Sequence, residues 1–552
     1  MSASSKKKLR NAQEAEKLTE KQLKEQAEAK KLKTYSTIFV VVIALMVCFA
    51  VYTAVTNTVE HSGVFERNTT ALTVGEHKIS NAELNYYFID SVNNFYSNYG
   101  SYAAMFGLDV TKPLDEQTVS EDGTTWADDF LDSAIESIKS VYALNDAAKA
   151  AGYELSEAEV SYINSQITNM NSYALMYGYP DFDDYLKALY GNGADEEGFR
   201  NYVTMSTLAN SYQSHYAESL TYEDADLRAK EAENFDAFSS FSYNSYYLAN
   251  SRFLEGGTKA EDGTVTYSDE ENEAARAAAQ EAALLLSEST SVEELNAAIA
   301  ALPINAESTT AASTTYTDTA YGSVNSVIAE WVTSADRKAG DIAVLPSVTH
   351  THAEGETHSD DEDTTAFDVI NGYYVVLFNG SNDNTFPLAN VRHVLVPFEG
   401  GTYDPNTGAT TYSAEEKAKA MVEAEELLAS WKEGKATEET FAELANTKSA
   451  DSDGTDGGLY TDIYPGQMVE NFENWCFAEG RQAGDTGIVE SVYGYHIMYY
   501  VGHSDTTYRD HQIRNTLISA DTSAWYNGLI EAMTVTEGNL KYVSTDLVLS
   551  KS

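Results

Sequence analysis

A chain of 552 residues with 43% hydrophobic content is too long for a single core, so three or four folded domains are expected. Its formal net charge of −51 repels nucleic acid and anionic lipid, which excludes both as partners for the bulk of the chain. The charge is unevenly divided: residues 1–33 hold ten Lys/Arg and five Asp/Glu, a net of +5, which leaves −56 for the remainder.

The sign changes across one apolar stretch. From Tyr35 to Val59 there is no charged residue, and the centre reads IFVVVIALMVCFAVYTAV. At about 1.5 Å per residue, some twenty such residues span a bilayer core. Lys30, Lys31 and Lys33 precede the stretch and Glu60 follows it. The positive-inside rule therefore predicts a cytoplasmic tail at 1–33, a transmembrane helix at 34–59, and the acidic mass on the extracytoplasmic face. No A-x-A site closes the run, and Val47 before Cys48 is too bulky for a lipobox, so an uncleaved anchor is expected. The two cysteines, Cys48 and Cys476, are not a disulfide pair, and an exported chain without bridges suits Gram-positive bacteria.

Residues 70–235 read as mostly helical. Thr73–Ser80 suggests a short strand, with Ser80 capping a helix that carries Glu83 at the capping-box position. Further helices are predicted over Asp128–Ala151, Ser156–Tyr173 (with Glu159 completing a second box), Phe199–Leu220 and from Tyr222 to Glu233. Aromatic clusters (YYF at 86–88, FYSNY at 95–99, YALMYGY at 173–179) are expected in the core first, and as an apolar cradle for unfolded chains second.

An internal repeat follows. Glu255-Gly256-Gly257-Thr258 recurs as Glu399-Gly400-Gly401-Thr402, Trp331 as Trp475, and Arg337-Lys338-Ala339-Gly340-Asp341 as Arg481-Gln482-Ala483-Gly484-Asp485, all at an offset of 144. Tyr267-Ser268-Asp269-Glu270-Glu271 recurs as Tyr412-Ser413-Ala414-Glu415-Glu416 at 145. Each unit runs from a strand through a Gly-rich insertion to a long helix, a short helix, a loop region, a helix ending near Trp, and a closing pair of strands. The expected fold class is α+β, with helices around a small sheet. A helix from Tyr508 to Met533 and a short extended tail complete the chain, and residues 506–552 are expected to return to the 70–235 domain.

The first unit carries an insertion at 349–363, with His350, His352 and His358 beside an acidic run. These three are candidate ligands for zinc or copper. A solvated loop is the simpler expectation, and no cofactor is expected.

The second unit, 388–505, resembles the parvulin family of peptidyl-prolyl isomerases. The resemblance rests on Arg392-His393-Val394-Leu395-Val396, Asp456-Gly457-Gly458-Leu459, Pro465-Gly466-Gln467-Met468-Val469, Phe472-Glu473-Asn474-Trp475-Cys476-Phe477 and Gly494-Tyr495-His496-Ile497, in that order over about 115 residues. The loop departs from the family's GGDLGWF, reading GGLYTDIY here. The resemblance implies that Leu459, Met468 and Phe472 line a prolyl pocket, that His393 and His496 pair beneath it, that Asp451 stands where the family has Cys or Asp, and that Tyr493 stands where some members have Ser. Cys476 falls at a small core position rather than a nucleophile's. By the repeat, His393 corresponds to Tyr246, His496 to Tyr374, Met468 to Val324 and Phe472 to Ile328, so residues 236–382 are expected to be a degenerate parvulin-like domain. Residues 70–235 more faintly resemble the chaperone-like domains of exported foldases of the PrsA and SurA type. The implied function is a membrane-anchored isomerase and chaperone for newly exported, X-Pro-containing chains. The alternatives are a non-catalytic holdase and, resting only on the His-rich loop, a metal sensor.

Overall fold

The computed structural model describes residues 4–10, 43, 46–47, 62–120, 122–260, 262–351, 367–405, 407–451 and 454–549. The expected anchor at 34–59 therefore lies almost wholly outside the described residues, as do His352 and His358. Among the described residues no helix is long and apolar enough to cross a membrane, and no three His, Cys, Asp or Glu side chains are grouped to hold a metal ion. The chain divides into two units, Met1–Leu220 with Ser519–Ser552, and Thr221–Ile518.

In the first unit, short β-branched segments pair as an antiparallel sheet ordered Val535–Glu537, Thr70–Val74, His77–Ser80. The C-terminal tail is thus a strand of the N-terminal sheet. Buried Asn81 and Asn85 fix it further: Asn81 donates to Asn539 O, and Asn85 accepts from Ser544 N at 2.9 Å. The helices Asn81–Tyr99, Trp126–Ala151, Glu157–Met176, Phe182–Tyr190 and Glu196–Ser219 follow. Ser80 caps the first through Glu83 N, and Ser156 with Glu159 closes a reciprocal box. The helix at Trp126 begins earlier than its apolar spacing suggests because Thr125 and Asp128 form a box of their own. The aromatic clusters divide between interior and surface. Tyr86, Tyr87 and Phe88 are buried, whereas Tyr99, Tyr102, Met105, Phe106, Met176 and Tyr177 are exposed.

The second unit contains two four-stranded antiparallel sheets of one strand order. The first runs Thr314–Ala320, Ser240–Ala249, Phe367–Asn382, Ile342–Thr351, and the second Leu459–Ile463, Pro387–Pro397, Gly494–Thr507, Thr486–Glu490. Helices occupy the same places in each: Asp269–Leu286 and Ala414–Glu433, Val292–Ala301 and Glu438–Lys448, Ser326–Val332 and Glu470–Cys476. The Gly-rich insertions are β-hairpins. Glu271 and Glu416 each cap their helix and also accept from the hairpin glycine, Gly257 N at 2.9 Å and Gly401 N at 2.8 Å. Arg337 and Arg481 each lie 3.9 Å over a tryptophan ring, Trp331 and Trp475.

The pairing register corrects one correspondence drawn from the sequence. Gly372 opposes Ala249 and Gly494 opposes Pro397, which aligns Tyr374 with His496. Ser245, opposite Val376, then occupies the place of His393, opposite Met498. Tyr246 is on the other face, where its hydroxyl meets Asn305. A one-residue slip moves a side chain to the opposite face of a sheet.

The edge strands Thr314–Ala320 and Leu459–Ile463 were not foreseen. Each carries a bulge at an aspartate with left-handed backbone, Asp318 at φ 42° and Asp462 at φ 53°. The bulged amides are held alike, by Ser242 Oγ at 2.9 Å and Asn390 Oδ1 at 2.8 Å.

Candidate active site

The central strands of the second sheet place two histidines on one face. His393 lies opposite Met498 and His496 opposite Leu395, so the imidazoles are diagonal neighbours. Their Nδ1 atoms are 3.1 Å apart, and the two residues are 1% and 5% exposed. His496 Nε2 is 2.8 Å from Ser491 Oγ. His393 Nε2 is 3.4 Å from Asp451 Oδ2, a contact too poorly aligned to count as a hydrogen bond.

The carboxylate near His393 favours one arrangement of the protons over its reverse. A carboxylate only accepts, so the proton of His393 belongs on Nε2, facing Asp451. His393 Nδ1 then accepts from His496 Nδ1–H, and His496 Nε2 accepts from the Ser491 hydroxyl. Burial, and secondarily the neighbouring His496, push His393 down to about 4, against the pull of Asp451. Burial also holds His496 below its usual value. Both rings are neutral at pH 7. An unfolded histidine takes up a proton near pH 6.5, which the buried pair resists. Stability from this pair is therefore fully present above pH 6.5 and lost as pH falls toward 4. Urea unfolding between pH 7 and 4 should show a decline that a His393→Gln, His496→Gln double variant shares less. Equal slopes would remove the histidines as its source.

Above the pair is a cavity of about 320 Å³. Phe472 forms its back wall, edge-on to both imidazoles at 5.4 Å. Met468, Val469 and Gln467 border it from the turn before that helix, Leu395 from the central strand, and Tyr493 from the exposed rim. Asp451 stands at the mouth, half-exposed, with the Tyr460 hydroxyl donating to it at 3.3 Å. Leu459, expected in the wall, is not among the lining residues, and Tyr460 is. Side chains alternate along a strand, and Leu459, opposite Arg392, has the wrong parity. Leu395, Tyr460, Gln467 and Val469 in the lining, and Ser491 behind His496, are the residues that the sequence reading did not single out. Cys476 is buried in the apolar cluster behind Phe472, and burial pushes its thiol up to about 12, far from a nucleophile's range.

The glycines at 457 and 458 serve this geometry. Gly458 O accepts from His393 N at 2.9 Å, while the Arg392 guanidinium binds Asp456 O, Gly457 O and Glu438. Strand and loop are thereby locked with the imidazole facing the cavity.

The family profile described as "PPIC-type PPIASE domain" matches residues 377–502, the stretch that builds this cavity. The chain carries a parvulin-type peptidyl-prolyl isomerase domain. Among curated proteins, foldase protein PrsA 1 of Listeria innocua is 35% identical over 101 residues, which is 18% of this chain and 32% of that protein. Foldase protein PrsA 1 of Listeria monocytogenes is 41% identical over 64 residues, 11% of this chain and 22% of that one. The match thus spans a third or less of these relatives' length. Among solved structures, peptidylprolyl isomerase (PrsA) of Bacillus anthracis aligns at 24% identity over 27% of this chain and 59% of its own, with a TM-score of 0.16. PrsA of Bacillus subtilis aligns at 12% identity over 77% and 91%, with a TM-score of 0.26. Within the isomerase domain the histidine pair, Asp451 and the apolar wall converge on one space.

Proposed function

We propose that the chain is a membrane-anchored peptidyl-prolyl cis/trans isomerase with an attached chaperone module, acting on unfolded or newly exported polypeptides that contain X-Pro bonds. The observation that carries the reading is the apolar cavity floored by two neutral, hydrogen-bonded histidines with a carboxylate at its mouth. Rotation of an X-Pro amide faces a barrier of about 18–20 kcal/mol and requires no bond to break. A site accelerates it by binding the twisted amide better than either planar form. Met468 and Phe472, with Tyr460 beside them, would hold the pyrrolidine ring away from water, which disfavours the charge-separated resonance form. Asp451 and the histidines would set the electrostatics around the turning carbonyl without exchanging covalent bonds.

The same reading makes residues 236–382 a degenerate copy. It is supported by the shared strand order and by Ser245 and Tyr374 standing where the histidines stand in the second copy. Tyr243 and Tyr316, stacked at 4.7 Å, supply aromatic bulk next to that position. The anchor rests on the apolar run at 35–59 and the charge change across it. Exposed aromatic and methionine side chains of the helical unit support its binding of unfolded chains. The whole chain should accelerate isomerisation of an X-Pro peptide. A folded chain that leaves the rate unchanged overturns the enzyme reading in favour of a holdase, for which suppression of aggregation is the measurement.

A further inference from the structure

The prolyl cavity carries charge of one sign. Of the residues that line it, Asp451 alone bears a formal charge at pH 7, because His393 and His496 are both neutral. Its side chain is 49% exposed at the mouth, so the carboxylate is open to a chain that enters. Among the described residues, its contacts with the Tyr460 hydroxyl and with His393 are both made by Oδ2. A carboxylate accepts on both oxygens, so capacity remains on Oδ1 for a donor brought by a client.

Neighbouring cations are committed elsewhere. Arg392 precedes His393 and therefore lies on the other face of the sheet, where it binds Glu438 at 3.0 Å. Lys417 lines the adjoining groove, which shares Val469 with the cavity, and it binds Glu490 at 2.7 Å. That groove adds the carboxylate of Glu470. The field at the mouth is thus negative, in a chain whose net charge is −51. Tyr493, 62% exposed, completes the rim with an aromatic ring on which a cation can rest.

The reaction decides which client residue meets this carboxylate. The carbonyl that turns above the histidines belongs to the residue before the proline. That residue's side chain branches from the carbon bonded to the turning carbonyl, so it is the one held beside Asp451. A long basic side chain can lay its stem on the rim and bring its charge to the carboxylate.

We propose that Asp451 selects clients with arginine or lysine immediately before the isomerised proline. The proposal rests on the isomerase reading and names its substrates. Arginine gains most, because a planar guanidinium can both donate to the carboxylate and lie on the Tyr493 ring. A glutamate in that place meets like charge in a partly desolvated space.

The test uses the whole chain at low ionic strength and peptides that differ only in carrying Arg, Ala or Glu before the proline. For wild type, kcat/KM should fall in the order Arg, Ala, Glu, with the Arg peptide ~tenfold above the Glu peptide. Asp451→Asn should slow all three peptides and bring the Arg and Glu peptides to within ~twofold of each other. Each protein's own Ala peptide is the reference, so the general loss of rate does not enter the comparison. Asp451→Glu, which keeps the charge, should keep the order. Glu470→Gln removes the same charge from the adjoining groove and should keep most of the Arg preference. The proposal is overturned if wild type treats the three alike or favours Glu, if Asp451→Asn keeps the wild-type ratio, or if Glu470→Gln collapses it equally, which would assign the preference to the field of the whole chain. If wild type turns over none of the peptides, the isomerase reading has failed instead. Binding of the Arg and Glu peptides to wild type and Asp451→Asn, by fluorescence anisotropy, then decides the site alone: an Arg preference lost in the variant supports it, and one that is absent or kept refutes it.

Discussion

Gly458→Ala is expected to lower the stability of the isomerase domain by roughly 3 kcal/mol, the sum of a left-handed backbone term and an overpacking term. Gly458 has φ 62°, where a Cβ is strained whatever the space around it. The Cβ would also lie 2.3 Å from His393 O and 2.9 Å from Ala445 Cβ. The first of these is backbone of a central strand, which cannot turn aside as a flexible side chain can. Relief must come by pulling the loop from the strand, at the expense of the hydrogen bond from His393 N to Gly458 O. Gly466→Ala is the control: its φ is 89°, yet nothing lies within 4 Å of an added Cβ, so it should lose only the backbone term of about 1 kcal/mol. Urea unfolding of the two variants separates the effects. Equal losses would mean that the approach to His393 is not what the glycine provides.

The sequence made the repeat and the pocket's back wall legible for definite reasons. Ser-x-x-Glu boxes mark helix starts by local hydrogen bonding alone, and Ser156, Ser268 and Ser413 cap as that pattern implies. Phe472 and Trp475 sit on a helix whose spacing of buried positions is fixed by its own turn. Edge strands are harder to read. Leu459–Ile463 is five residues long and bends at Asp462, so period-two alternation has no length over which to show itself. The parity that excludes Leu459 and admits Tyr460 is set by pairing with Val391, a contact 69 residues distant in sequence. A signal was nonetheless present. Tyr316-Thr317-Asp318 and Tyr460-Thr461-Asp462 share the 144-residue offset of the other repeated motifs, and both aspartates adopt the same unusual backbone. Ser491 was missed because its role arises only when the loop before Gly494 folds back on His496.

Asp451→Ala is expected to lower kcat/KM on an X-Pro peptide by roughly tenfold, about 1.4 kcal/mol of transition-state stabilisation, with little change in the thermal midpoint. The two readouts separate because of where the carboxylate stands. Its side chain is 49% exposed, so removing it opens no cavity in the core. Its contacts, however, are with the chemistry: His393 Nε2 at 3.4 Å and the Tyr460 hydroxyl at 3.3 Å. Without the carboxylate, the electrostatic bias toward a proton on His393 Nε2 is lost. The direction of the hydrogen bond between the histidines, and through it the orientation of the Ser491 hydroxyl, becomes free to reverse. Asp451→Asn sharpens the argument. It keeps the shape of the side chain but removes the charge, and its amide can donate as well as accept. If the carboxylate acts by fixing the tautomers, Asp451→Asn should lose nearly as much activity as Asp451→Ala. Near-normal turnover by Asp451→Asn would mean that Asp451 only shapes the mouth of the pocket. A loss that tracks a fall in the melting temperature would assign it to the fold instead.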